Sequence, residues 1–202
     1  ICYNTSMHIT IFGGSFNPPH LGHEIVMAQA FDLIPDLEQI WLLPDYQHSF
    51  AKNLSLAPVQ HRLNMAKMLE NGRIRTQTCN IDQKMTGDTI NHITYLKKTY
   101  PKHNFSFLLG SDNLKTFNLW PQWQTLLTLL PFYIYPRAGY PFKPIYPNMT
   151  PLIHPLQVIT NISSTIVRQR LQANLTINHL VPIKVAEYIQ AHRLFLLPLP
   201  KH

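Results

Sequence analysis

Short apolar runs rich in β-branched and aromatic residues alternate with longer stretches of helical spacing along most of the chain. The first run, Ile9-Thr10-Ile11-Phe12, places strand one at about 8–12. It breaks on Gly13-Gly14 and Pro18-Pro19, and a helix pattern follows from His20 to Ile34, stopped by Pro35. Strand two is Gln39–Leu43, ended by Pro44, and a polar loop covers 44–57. Pro58 opens a helix at the first-turn position, where its missing N–H is no loss, and Asn71-Gly72 closes it. Strand three is expected at about 73–80. Asp88 is suited to cap a helix through Tyr100, ended by Pro101. Strand four is Phe105–Leu109, ended by Gly110; a helical segment covers about 112–130; strand five is Phe132–Tyr135, ended by Pro136.

Residues 131–155 change character, with seven prolines interleaved with Tyr and Phe. The reading is a stiff extended connector rather than a proline motif for a partner. A short strand near Leu156–Thr160 then leads to a helix over Ser164–Gln172, and Pro182 opens a last helix, Ile183–Ala191. This βα alternation predicts an α/β fold: a Rossmann-like, doubly wound, mainly parallel sheet with helices on both faces and a small C-terminal helical extension. One domain is expected over 7–194, its core sheet within about 7–160 and the last helices in 161–194. Residues 1–6 precede Met7 and are expected to be non-native or disordered. Ligands of such sheets bind beyond the carboxyl ends of the strands. Residues 13–23, 44–52, 82–89, 110–113 and 136–140 should therefore meet at one crevice.

Composition narrows the function. With 202 residues, 45% hydrophobic, the chain can bury a core. It has no run of 18 apolar residues and no signal-peptide pattern, so a membrane span is not expected. Cys2 and Cys79 give neither a disulfide framework nor metal-ligand spacing, and the cytoplasm is the expected location. A net charge of +7 suits nucleic acid or a polyphosphate ligand. Charged residues are only 13% and form no basic block; Lys97, Lys98 and Lys102 read as a solvated helix end. Nucleic acid is therefore not expected as a partner.

The strand, glycine turn and helix start at Ile9–His23 have the layout of a phosphate cradle, with Gly13, Gly14, Ser15 and Phe16 at the turn. His20 and His23 project from one side of the first helical turn, and Gly22 between them leaves room. Metal ligation, acid–base catalysis and electrostatic donation to a phosphoryl group all suit such a pair. The adjoining turn favours donation, and no dedicated metal site is expected. Ser163-Ser164-Thr165 with Arg168 supplies a helix N-terminus, hydroxyls and a forked cation, an anion site beyond what a simple cap requires. Gly110 and Asp112 follow strand four, where a carboxylate serves either as an acceptor from a ribose hydroxyl or as a helix cap. Trp120 and Trp123 suit core packing or stacking on a ligand ring, and Lys52 suits either a phosphate contact or the surface.

GGSFNPPHLGH, GSDN and ISSTIVRQRL, in this order, resemble the nucleotidylyltransferase superfamily with an HxGH signature. Within it, Thr86-Gly87-Asp88-Thr89, Trp120–Trp123 and Pro136-Arg137-Ala138-Gly139-Tyr140 are most similar to bacterial nicotinate-nucleotide adenylyltransferases. The resemblance implies attack of the 5′-phosphate of nicotinate mononucleotide on the α-phosphorus of ATP. Deamido-NAD and pyrophosphate are the products, Mg²⁺ accompanies ATP, and homo-oligomers are possible. It implies that His20 and His23 contact the ATP phosphates and stabilise the transition state, and that Ser163, Ser164, Thr165 and Arg168 hold the β- and γ-phosphates, Arg168 counting with the histidines as catalytic. Asp112 would lie near the ribose; Thr86, Asp88, Trp120 and Arg137 would serve the mononucleotide. Two departures stand out. Asn17 replaces the Asp of many relatives, and Pro121 cannot donate the backbone N–H that some relatives offer the nicotinate carboxylate. The alternatives are a phosphopantetheine or nicotinamide-mononucleotide adenylyltransferase or, in a different class, a non-catalytic nucleotide sensor.

Overall fold

Strand side chains sort by parity, as a pleated ribbon requires. In β1 (His8–Gly14), Ile9 and Ile11 enter one apolar cluster and Phe12 the other. The same split runs through β2 (Gln39–Pro44), with Trp41 and Leu43 against Ile40 and Leu42. It recurs in β4 (Asn104–Gly110) and β5 (Phe132–Tyr135), where Phe107 and Phe132 oppose Leu108 and Tyr135. Both faces are apolar, so both must be covered. The computed structural model describes residues 6–46, 56–85 and 88–196. Helices α4 (Thr89–Thr99) and α5 (Trp123–Leu129), with a 3-10 segment Ser111–Leu119, cover the first face through Ile93, Leu96, Phe117 and Leu126. On the other lie α1 (Leu21–Leu33) and α2 (Val59–Lys67), through Met27, Ala30 and Ala66. A third cluster joins Met65 of α2 to α6 (Ser164–Gln172) and α7 (Ile183–Ala191) through Val167, Val185 and Ile189.

Together with β3 (Ile74–Thr76) and β6 (Met149–Pro151), the strands form a six-stranded parallel sheet in the order β3-β2-β1-β4-β5-β6. The order reverses between β1 and β4. In a doubly wound sheet that is where a crevice opens beyond the strand ends. Gly13 and Gly14, at the end of β1, pair with Leu43 and Pro44 at the end of β2, and Gly110 ends β4 alongside Tyr135 of β5.

Four sequence expectations are corrected. Strand three is only Ile74–Thr76, because Thr78 starts a helical turn, α3 (Cys79–Asp82). The Thr78 hydroxyl donates to the Asp82 carboxylate at 2.6 Å, and its carbonyl accepts from the Ile81 and Asp82 N–H groups. The helical stretch 112–130 is split into the 3-10 segment and α5. Pro121 lacks an N–H and forces Trp120 out of the helical region, to ψ 136. The proline-rich connector contains an edge strand, β6, in register Phe132↔Met149. Leu156–Thr160 forms no strand; side chains rather than a ladder bind its backbone. Lys52, Thr86 and residues 1–5 lie outside the described residues.

Candidate active site

The turn after β1 is built by close approach. A Cβ on Gly13 would sit 3.1 Å from the Phe107 ring of β4. Phe16 adopts φ 46 and buries its ring beside Phe12 and His23, at centroid distances of 6.0 and 5.1 Å. Buried Asn17 accepts the Ala57 N–H on Oδ1 at 2.9 Å. His20 precedes α1, and its ring lies 3.8 Å from that of His23. Gly22 was expected to leave room for a ligand. The space is filled instead by the protein: a Cβ there would meet His20 Nδ1 at 2.8 Å and the Ile162 carbonyl at 3.3 Å.

Both imidazoles are held neutral. Burial lowers His20 far below its ordinary value, with the His23 and Arg137 charges adding to the effect. His23 is lowered to about 3 by burial and then Arg137. The His20 N–H donates to His23 Nδ1 at 3.1 Å, a bond that only a ring unprotonated at Nδ1 accepts. A neutral ring that accepts on Nδ1 carries its proton on Nε2. His20 Nδ1 is buried with no hydrogen-bond partner among the described residues.

The facing wall comes from β4 and β5. Arg137 Nε lies 3.8 Å from Asp112 Oδ1, each side chain about a third exposed. Gly110 makes this meeting possible, because a Cβ there would collide with the Asp112 carboxylate and crowd Arg137. Buried Ser111 locks the following loop: its hydroxyl donates to the Tyr140 carbonyl at 2.8 Å and accepts the Arg137 N–H at 2.9 Å. Trp120 stands with one side packed on Phe107 and Phe117. Trp123 turns away into the core against Tyr146, at 4.7 Å.

The start of α6 docks on the glycine turn from the far end of the chain. Ser163 caps the helix by accepting the Ile166 N–H at 3.3 Å. The Ser164 hydroxyl donates to the Pro18 carbonyl at 2.8 Å, and Arg168 donates to the Asn17 carbonyl at 2.8 Å and to the Thr165 hydroxyl at 3.3 Å. Burial lowers the Arg168 guanidinium from its ordinary value.

These walls enclose a cleft of about 340 Å³. Of the expected residues, Gly13, Gly14, Ser15, His20, His23, Gly110, Asp112, Trp120 and Arg137 line it. Phe16 stands behind the wall in the core. Ser163, Ser164, Thr165 and Arg168 adjoin the cleft through Thr160 and Ile162, which do line it. Asp88 precedes α4 and does not line it, whereas its neighbour Thr89 does. The sequence reading missed two groups. Asp45 enters the cleft just after β2, within the 44–52 stretch assigned to the crevice. Burial pushes its carboxyl up to about 6 against the pull of Arg62. Arg62 is 1% exposed, yet its charge is shared among three backbone carbonyls: Ala57 (3.0 Å), Ser15 (2.9 Å) and Tyr46 (3.1 Å). Nothing in a helix pattern marks position 62 as a buried cation.

A cytidylyltransferase-like family model matches residues 11–170. A relative named probable nicotinate-nucleotide adenylyltransferase, from Flavobacterium johnsoniae, is 31% identical over 192 residues, 94% of this chain and 99% of its own. The protein of the same name from Salinibacter ruber is 32% identical, over 94% of this chain and 98% of its own. Among solved structures, Plasmodium falciparum nicotinic acid mononucleotide adenylyltransferase complexed with NaAD shares the fold. The TM-score is 0.76 over 94% of this chain and 97% of that one, at 21% identity.

Proposed function

The chain belongs to the nicotinate-nucleotide adenylyltransferases of the cytidylyltransferase-like family, and on that premise we propose how its cleft transfers an adenylyl group. A 5′-phosphate oxygen of nicotinate mononucleotide attacks the α-phosphorus of ATP. One O–P bond forms as the bond to the β-phosphate bridging oxygen breaks, and deamido-NAD and pyrophosphate leave. Both reactants are anions, so the protein's work is positioning and charge stabilisation rather than covalent catalysis. One observation carries the reading. Two neutral imidazoles and the N-terminus of α6 meet across one glycine turn at the point where the sheet order reverses.

His23 Nε2–H donates to the phosphoryl oxygens as charge builds on them, with the His20 ring tilted against it at 3.8 Å. A triphosphate at this place favours the protonated rings and offsets the burial that holds them neutral. Gly13, Gly14, Ser15 and Phe16 form the phosphate turn. Ser163, Ser164 and Thr165 offer the helix N-terminus to the β- and γ-phosphates with Arg168, and Lys52 is assigned to a phosphate by its charge. Asp112 takes the ATP ribose near Gly110. Trp120 stacks on the pyridine ring and Arg137 lines the same cleft; Thr86 and Asp88 are assigned to the mononucleotide beside them, Asp88 from just before α4 rather than from the cleft lining. Among the described residues no cluster of three His, Cys, Asp or Glu side chains is placed to cage a metal. Mg²⁺ would enter on the ATP phosphates without a dedicated protein cage and would neutralise part of their charge; Asp45 is a carboxylate of the cleft lining free to face it through water. We assign the reaction to the cytoplasm on the cysteine pattern, which gives no disulfide framework; separately, among the described residues no helix is long and apolar enough to cross a membrane.

Pro121 lines the cleft and offers no N–H, which favours testing the amide substrate beside the acid. Pyrophosphate release is measured with ATP and, in turn, nicotinate mononucleotide, nicotinamide mononucleotide and phosphopantetheine. Turnover with nicotinate mononucleotide is expected to dominate. Faster turnover with either rival reassigns the second substrate, and none with any of the three overturns the enzyme reading.

A further inference from the structure

Residues 152–162 cross from β6 to α6 with little to hold them. Leu152 is still anchored in the core, but the apolar side chains of the next seven residues point outward: Ile153, Leu156, Val158 and Ile159 are 72, 83, 56 and 49% exposed. Apolar burial therefore contributes little to fixing this segment. Its backbone is captured instead at one residue. Gln29 of α1 accepts the Val158 N–H on Oε1 at 2.8 Å and donates from Nε2 to the Val158 carbonyl at 3.1 Å. The Tyr135 hydroxyl, at the end of β5, donates to the same carbonyl at 2.7 Å and accepts from Gln29 Nε2 at 2.7 Å. A single side-chain amide thus supplies the donor and acceptor that a neighbouring strand would have given Val158.

Beyond Val158 the chain enters the site. Thr160 and Ile162 line the cleft, and the Ile162 carbonyl packs over Gly22 between the two histidines. Ser163 then caps α6, whose first turn is tied to the glycine turn by Ser164 and Arg168. Gln29 does not line the cleft. We propose that Gln29, with Tyr135, is a positioning residue for the triphosphate half of the site: it clasps the Val158 backbone and so sets where the N-terminus of α6 meets the phosphates. This rests on the reading above that this helix start receives ATP.

The experiment compares wild type, Gln29→Met, which keeps the length and loses every Gln29 bond while the Tyr135 hydroxyl still reaches the Val158 carbonyl, and Gln29→Glu, which keeps the acceptor and loses both donors. Calorimetry gives Kd for Mg·ATP, and kinetics give KM for each substrate. Gln29→Met is expected to weaken Mg·ATP binding and raise the ATP KM by roughly tenfold, the scale of losing a few hydrogen bonds in one clasp. The mononucleotide KM is expected to stay within about twofold. Gln29→Glu should fall between Met and wild type, and it carries the test alone if Gln29→Met does not fold. Wild-type ATP affinity in the variants overturns the proposal. So does an equal rise in both KM values with a lowered Tm, the mark of a merely structural role. A wild-type protein that does not bind Mg·ATP instead overturns the reading on which the proposal rests.

Discussion

At His23 the chemistry is decided by a backbone N–H. The bond from His20 N to Nδ1 leaves the ring proton on Nε2, so the neutral side chain is a donor rather than a base. His23→Ala is expected to lower kcat by roughly 10²-fold or more, as loss of a transition-state donor does, with a small change in ATP binding. Steady-state kinetics beside calorimetry check this, and an unchanged kcat would reduce His23 to a packing residue. The sequence showed the pair, because two histidines at this spacing after a glycine turn are a specific pattern. It did not show Arg62 or Asp45. A buried arginine on an amphipathic helix looks like an ordinary surface cation until the three carbonyls that receive it are brought together from separate loops.

At the scale of the element, α1 begins on a contact that admits only glycine. Alanine in place of glycine inside a helix ordinarily adds about 1 kcal/mol of stability. At position 22 the new methyl would press on His20 Nδ1 at 2.8 Å and on the Ile162 carbonyl. Gly22→Ala is thus expected to keep Tm within a few degrees of wild type while kcat/KM falls by roughly tenfold or more. Thermal melts with kinetics separate the two effects, and full activity would show that the His20 ring yields freely. Helix and strand boundaries set by proline and glycine were legible, as with Phe132–Tyr135 and Ile183–Ala191. Elements set by partners were not. Met149–Pro151 is a strand only because β5 offers it an edge, and 156–160 is not a strand because Gln29 takes the polar groups of Val158 while His154 takes the N–H groups of Leu156 and Gln157.

Across the whole molecule, buried neutral histidines set the response to acid. His20 and His23 are lowered as described, and burial lowers His92 to about 4. Unfolded, each returns to about 6.5, so as pH falls below that value the unfolded chain binds protons that the folded chain refuses. Asp45, raised to about 6, and Glu24, also raised, act in the opposite sense by protonating earlier in the folded state. Three histidines outweigh them. Stability is full above about 6.5 and falls toward pH 4, by about 1.4 kcal/mol per pH unit for each unmatched proton. Denaturant titrations across this window check the slope, and a flat profile would show that the rings protonate in place. The local pattern determined the βα alternation, the crevice at the strand ends and the two segments proposed to hold phosphate, because periodicity, chain breakers and phosphate-binding residue types are local properties of a sequence. Tertiary structure alone decided that α6 closes on the glycine turn, that Asp45 joins the cleft with Arg62 behind it, and that Gly22 makes room for His20. Each depends on segments far apart in the chain meeting within a few ångströms, which no local pattern records.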